Sequence, residues 1–363
     1  MPKRRSPEPS DDDDDGRSRR PCRRCSPQRH LCVVLDDWSK GYSIYKLDVD
    51  GFDGDPDEDL RAERLPGPPI FRLEIPTDDP RNVALFAAAG GMIFAMDYSE
   101  EDKSAPALVY DTATGGLAVG PSTPAALRNR PELVPAGDRL YALDRGFGRD
   151  HFRVLAPNGR RGWAWSTLRD APFDTGAAAT ACHAAHPDGR TVFFSVRGGG
   201  TFSFDAGARR WARHGDWMLP FEGQAHYDAE VDAWVGLCRG AASPGRVCSC
   251  DVVAPAGEGD GDRDGGGAER PPPSWKLAEE KVARRDSTHT ELAHVGNGRF
   301  CLVECRNRRG VGGDVLDEDR LLYATTFRLR YDKDGALRAV ERRARCYAVR
   351  KKSNTFDWRA FGV

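Results

Sequence analysis

Five times along the chain a glycine- or Asp-marked turn joins two short stretches rich in β-branched and aromatic residues, and each time a second hairpin follows. Val83 to Asp97 is followed by Ala107 to Pro121, Pro131 to Asp144 by His151 to Trp165, and Ala179 to Val196 by Thr201 to Gly215. Ala225 to Cys238 leads to Arg246 to Val252 and then SWKLAE, and Glu291 to Cys305 leads to Ala324 to Val340. Each unit reads as four strands. The first-hairpin turns fall near Gly91, Gly137, Gly189, Asp232 and Gly298, in steps of roughly 46, 52, 43 and 66 residues, as blades of a β-propeller are spaced. The last step is long because Ala254 to Ser274 lacks apolar periodicity and is loaded with Gly, Pro and Asp, which reads as an inserted, solvated, disordered loop.

Within each unit apolar residues alternate or run for a few positions. The breaks carry GG, GD, PNG, PDG, NG and KDG, which supply the positive φ of tight hairpins. Helical spacing is hard to find. A sheet of four such strands buries only one face well by itself, so the copies must pack face to face, and packing around an axis hides most strand edges. Three further strands precede Val83, at Leu31 to Asp36, Gly41 to Val49 and Phe71 to Thr77, without an innermost partner. Arg345 to Val349 is a spare strand at the other end. The expectation is an all-β propeller over 31–349 of about six four-stranded blades, closed by Arg345 to Val349 joining the N-terminal strands, with seven blades as the alternative.

The ends read as tails, 1–30 and 350–363. The first combines an acidic run, Asp11 to Asp15, with two basic clusters, Lys3, Arg4 and Arg5, then Arg17, Arg19, Arg20, Arg23 and Arg24. This pattern reads either as a bipartite nuclear import signal or as a solvated tail. No apolar run suits a signal-peptide core or a membrane span, so a cytoplasmic or nuclear protein is expected. Of the 363 residues 30% are charged and the formal net charge is −2, so the global field favours neither nucleic acid nor membrane.

Chemical signatures are sparse. Cys22 and Cys25 form a CxxC with no second half at zinc spacing. Cys248 with Cys250, and Cys301 with Cys305, each share one strand face in adjacent units, so the four thiols are expected either to approach one another or to fill the core. His183, His186, His214 and His226 fall in the fourth and fifth units at no ligand-like spacing and read as surface or hydrogen-bonded positions. GxSxG, GxxxxGK[ST] and HExxH do not occur. No catalytic, cofactor-binding or metal-binding residue is assigned, and no cofactor is expected. Trp163, Trp165, Trp211, Trp217, Trp234 and Trp275 read as packing between blades. Asp111, Asp205, Asp228 and Asp332, each after an aromatic residue, read as turn-forming side chains.

FDAGARRW and YDAEVDAW look like kelch-type propeller segments. More closely, the chain from LCVVLDDWSKGYSIYKLDVDGFD through HPDGRTVFFSV, GQAHYDAEVDAWVGLC and CLVEC resembles a family of uncharacterised proteins expanded in grasses, a plant domain of unknown function. The resemblance covers nearly the whole chain and implies a kelch-like propeller, with no activity or functional residue to carry over. Kelch-like propellers in plants often follow an F-box, a helical module that the polar first 30 residues do not supply.

The expected function is therefore a non-enzymatic scaffold or adaptor, monomeric, binding a protein or peptide partner through rim loops. Asp50 to Glu63 and Ala254 to Ser274 are the loop candidates. The alternatives are a kelch-like enzyme, an oxidase or sugar-modifying activity with a central-channel site, and nucleic-acid association through the basic tail.

Overall fold

The computed structural model describes residues 30–38, 40–74, 84–97, 105–127, 131–145, 150–159, 162–175, 180–240, 245–256, 270–284, 289–309, 315–350 and 356–363. The basic clusters, Cys22, Cys25 and the middle of the insertion, 257–269, lie outside these residues. Among the described residues the regular structure is strand apart from one 3₁₀ turn, Val49–Gly51.

Runs of four strands succeed one another along the chain. The first contains β1 (His30–Trp38), β2 (Gly41–Asp48) and β4 (Phe71–Glu74). The second runs from β5 (Ala84–Ala89) to β8 (Leu117–Ser122), and the third from β9 (Glu132–Ala136) to β12 (Trp163–Thr167). The fourth runs from β13 (Thr180–Ala185) to β16 (Arg210–Gly215), the fifth from β17 (Phe221–Asp228) to β20 (Trp275–Leu277) and the last from β21 (His289–His294) to β24 (Leu337–Arg350). Pairing within each run is antiparallel. Gly90 and Gly91, at φ 58° and 76°, form the two-residue turn that lets Ala89 face Met92, a conformation closed to most side chains.

Apolar clusters lie between successive runs. Phe94 of the second packs with Leu140 and Leu155 of the third, and Val134 of the third with Phe194 and Phe204 of the fourth. Cys182 and Phe193 pack with Trp234, Val235 of the fifth with Phe300 and Phe327 of the last, and Tyr42 and Ile44 with Phe86. The remaining cluster joins the two ends of the chain, with Leu31, Val33 and Leu35 against Val303, Leu322 and Tyr347. The packing therefore returns to its starting point, and the sheets encircle an axis as a β-propeller. Each fully buried Phe or Leu contributes roughly 1.5–3 kcal/mol.

Ring closure differs from the sequence expectation. Arg345 to Val349 belongs to β24, the outermost strand of its own run. The strand that pairs with β1 is β25 (Trp358–Gly362), with Leu31 opposite Gly362 and Leu35 opposite Trp358. The three outer strands of the last run, at 11, 17 and 14 residues, are longer than strands elsewhere, so Arg345 to Val349 is consumed before the closing strand begins.

The acidic segment Asp50 to Glu63 is largely exposed, as expected, but it is anchored at several points. It folds against the last run, where Gly54 and Ala344 exchange backbone hydrogen bonds and β3 (Glu63–Arg64) pairs in parallel with β24. Phe52 is buried in the closing cluster, and Arg299 pairs with Asp50. Arg284 donates to the carbonyls of Pro56 and Glu58, both at 2.7 Å.

The tryptophans largely pack as expected. The Trp163 ring meets Phe94 at 4.7 Å, the Trp211 ring meets Phe152 at 5.0 Å, and Trp234 Nε1 donates to the Ala185 carbonyl at 2.9 Å. Trp275 is the exception, 51% exposed. The turn aspartates also behave as expected. Asp111 accepts from the amides of Ala113 and Thr114, Asp205 from Gly207 and Ala208, Asp228 from Glu230 and Val231, and Asp332 from Asp334 and Ala336.

Candidate binding site at the central channel

The innermost strands surround a cavity of about 1190 Å³. Contacts run from β25 to β5, β9, β13 and β17, and β21 returns to β25. The strands of this circle start at one mouth and end at the other, which sorts the lining by chemistry. Glu132, Glu222, Glu291 and Arg359 stand toward the mouth where the inner strands begin, and the alanines and glycines around Gly90, Gly137 and Ala185 stand toward the opposite mouth.

At the charged mouth Glu132 is held between His183 and Arg145. His183 Nδ1 lies 3.2 Å from Glu132 Oε1, and Arg145 Nη2 donates to Oε2 at 3.0 Å. Burial pushes the Glu132 carboxyl up, but hydrogen bonding and charge from His183 and then Arg145 outweigh it and leave the carboxyl below its ordinary range. His183 is 5% exposed, and its Nε2 has no hydrogen-bond partner among the described residues. Across the cavity Glu291 accepts from the Ala360 amide at 2.7 Å and faces Arg359 at 3.6 Å, fastening the last run to the closing strand.

Between the mouths β13 and β17 pair in parallel through Cys182 to Ala184 and Gly223 to Ala225. β17 leaves its antiparallel partner, β18 (Ala233–Cys238), between Glu222 and His226 to do so, and Gly223 takes the left-handed φ of 72° that the detour requires. The two runs become one eight-stranded sheet. His226 follows the bulge. Its Nε2 lies 3.0 Å from the Leu292 carbonyl and its ring 6.2 Å from that of His294, which faces Asp228 at 3.8 Å. Burial first, and then the neighbouring His294 charge, push the His226 imidazole down to about 4, against the Leu292 carbonyl, which favours the protonated form.

His186, His214 and His226 are hydrogen-bonded, as the sequence reading expected. What it did not show is that His183, His186 and His226 all line the cavity, since a spacing rule does not see inner-strand side chains near the axis. His214 stands apart, with Nε2 2.8 Å from Ser203 Oγ and its ring packed on Phe193. The cysteines also separate. Cys248 and Cys250 lie in the cluster between the fourth and fifth runs, and Cys301 and Cys305 in the closing cluster. Adjacent blades present opposite sheet faces to different neighbours, so a shared strand face did not bring the pairs together. Among the described residues no group of three His, Cys, Asp or Glu side chains is placed to hold a metal.

Sequence reasoning missed the arginines. Arg145, Arg197 and Arg239 each stand just beyond the second strand of successive runs, and each precedes a glycine. The recurring DRG, VRG and CRG were the available signal, but their glycines read only as turns.

The family model described as "Protein of unknown function (DUF1668)" matches residues 28–347. The chain belongs to the DUF1668 family. No curated protein sequence matches this DUF1668 chain. Among solved structures it is similar to a Bacteroides thetaiotaomicron protein of unknown function, at 10% identity and TM-score 0.39 over 85% of this chain and 78% of that one. A Lactobacillus plantarum protein gives 10% identity and TM-score 0.39 over 88% and 99%. The Cps50 (Swd1) β-propeller domain of Myceliophteria thermophila gives 10% and 0.37 over 85% and 82%. The propeller assignment of this DUF1668 chain rests on its own sheet order and closing cluster. Among its described residues no helix is long and apolar enough to cross a membrane.

Proposed function

We propose that this DUF1668 chain is a six-bladed, kelch-like propeller acting as a non-enzymatic scaffold, and that the charged mouth of its channel grips a segment of a protein partner. The observation that carries this reading is the built character of that mouth. Side chains from the third, fourth, fifth and last runs and from the closing strand converge on one cavity, and the Glu132–Arg145 and Glu291–Arg359 pairs hold part of it in place before any partner arrives. A preorganised polar surface on rigid strands lowers the ordering cost of binding. The acidic segment Asp50 to Glu63, anchored at points but largely exposed, and the insertion Ala254 to Ser274 both stay candidate contact loops.

The scaffold is read as a plant protein of the cytoplasm or nucleus, monomeric, with import driven by the basic clusters between Lys3 and Arg24. Proximity labelling in a grass cell with the full chain, against an unrelated propeller as control, should enrich a reproducible set of proteins. Enrichment no greater than the control would remove the scaffold reading. A reporter carrying residues 1–30 should concentrate in the nucleus, and even distribution would remove import.

A further inference from the structure

Three successive runs repeat one arrangement. Leu143 lies opposite Glu132, Val196 opposite Thr180 and Cys238 opposite Phe221, so each second strand ends level with the first residue of its inner strand. The residue that leaves each strand end is an arginine: Arg197 and Arg239 directly, and Arg145 after Asp144. Gly198 and Gly240 follow at φ 73° and 126°, turning the chain sharply at that point. All three arginines line the same cavity at the same mouth.

Their partners differ. Arg145 is tied to Glu132, whereas Arg197 and Arg239 are exposed and meet no carboxylate within ion-pair distance among the described residues. Arg239 reaches the Met218 sulfur at 3.2 Å and bears on the Cys182 thiol, so its guanidinium extends from the fifth run toward the fourth. Beneath this arc lies His183, buried, lining the cavity and with Nε2 unpartnered. A buried imidazole nitrogen left without a partner costs stability unless something else supplies the bond.

We infer that the arc of Arg145, Arg197 and Arg239, with His183 beneath it, is a recognition site for an acidic peptide whose successive carboxylates pair with the guanidinium groups. This deepens the scaffold reading and rests on it for the partner being a protein. The repeat is what favours a peptide, because cations carried on consecutive blades follow the curve of the mouth and suit a chain bearing several carboxylates in series. The planar guanidinium pairs with a carboxylate through two parallel hydrogen bonds.

The test uses the full chain and fluorescein-labelled peptides in which glutamate, lysine or glutamine alternates with glycine and serine. Anisotropy should show saturable binding of the glutamate peptide alone, weakened by added salt. Joint substitution Arg197→Gln and Arg239→Gln should weaken it by about tenfold or more, with an unchanged melting temperature because both side chains are exposed. His183→Gln should weaken binding without abolishing it. Equal binding of the three peptides, or an Arg197→Gln/Arg239→Gln protein that binds like the parent, would overturn the inference. Displacement of the peptide by free glutamate at matching concentration would also overturn it in favour of a small-anion site. Partners from proximity labelling that bind the double variant as well as the parent would sink the acidic-peptide inference while leaving the scaffold standing. Glutamate-peptide binding without any labelled partner would do the reverse.

Discussion

Arg342 grips Asp57 through both guanidinium nitrogens, Nη1 to Oδ1 at 3.1 Å and Nη2 to Oδ2 at 2.5 Å, although the two residues lie 285 positions apart in sequence. Asp57 belongs to the segment between β2 and β4, and Arg342 to the outermost strand of the last run. The contact therefore ties the first run to the last outside the channel, in addition to the β25 pairing inside it. The two ties differ in strength, because the Asp57 side chain is 65% exposed while Phe52 in the same segment is 5% exposed. Arg342→Ala should cost at most about 1 kcal/mol, whereas Phe52→Ala should cost roughly 3–5 kcal/mol. Urea unfolding of the two variants measures the contrast. Equal losses would mean that the ion pair, and not the buried ring, anchors the segment.

Closure by β25 makes a separate demand. Trp358 is 2% exposed in the cluster joining first and last runs, and it stands opposite Leu35. Trp358→Ala should cost roughly 3–5 kcal/mol. Removing 351–363 while keeping all of β24 should lower the melting temperature cooperatively. A truncated chain that melts at the parent temperature would show that β1 needs no inner partner.

The His226 environment sets an acid limit. The folded imidazole takes a proton only at about 4, against 6.5 for the ordinary side chain. Between those values the unfolded chain binds a proton that the folded chain does not, so stability falls with falling pH across that window, by at most about 1.4 kcal/mol per pH unit. Glu132, whose carboxyl is lowered in the folded protein, adds a loss of the same sign at more acidic pH. Melting temperatures recorded between neutral pH and about pH 4 should decline less steeply for His226→Gln than for the parent. Parallel declines would assign the acid sensitivity to other groups.

Two turn glycines should respond differently to alanine. A Cβ on Gly200, at φ 91°, would collide with the Gly215 carbonyl, whereas one on Gly137, at φ 60°, would meet nothing within 4 Å. Gly137→Ala should cost about 1–2 kcal/mol from backbone conformation alone. Gly200→Ala should cost more, as loss of the hairpin between β14 (Thr191–Val196) and β15 (Gly200–Asp205). Denaturation midpoints compare them directly.

The eight cysteines among the described residues are all buried, and burial pushes the Cys32 and Cys182 thiols up to about 11. Neither should react with a thiolate-selective reagent at neutral pH until the protein unfolds. Rapid labelling of either in the native protein, located by mass spectrometry, would show that the corresponding cluster opens.

Much of the fold could be read from the residues, because hairpin turns and alternating apolar positions are local. Gly90–Gly91, Gly137 and Asp232 mark their turns without reference to anything distant. What escaped was set by long-range pairing. Trp358 to Gly362 looked like a polar-flanked tail, and the anchors of Asp50 to Glu63 were hidden because its arginine partners lie some 250 to 290 residues downstream. The channel was harder still. His183 and His226 converge only through the parallel pairing of β13 with β17, and that pairing depends on a bulge at Gly223 that no turn signature announces.

The wide sequence gap between β1 and β25 bears on how the protein is made. At translation speeds of about 5–20 residues per second, Leu35 leaves the ribosome on the order of 20–60 s before Trp358 can reach it. Throughout that interval the nascent chain carries an apolar strand with one edge open. Newborn copies on a crowded polysome are thus exposed to mutual strand exchange, and a holding chaperone that covers Leu31 to Leu35 until synthesis catches up would raise the yield of finished molecules.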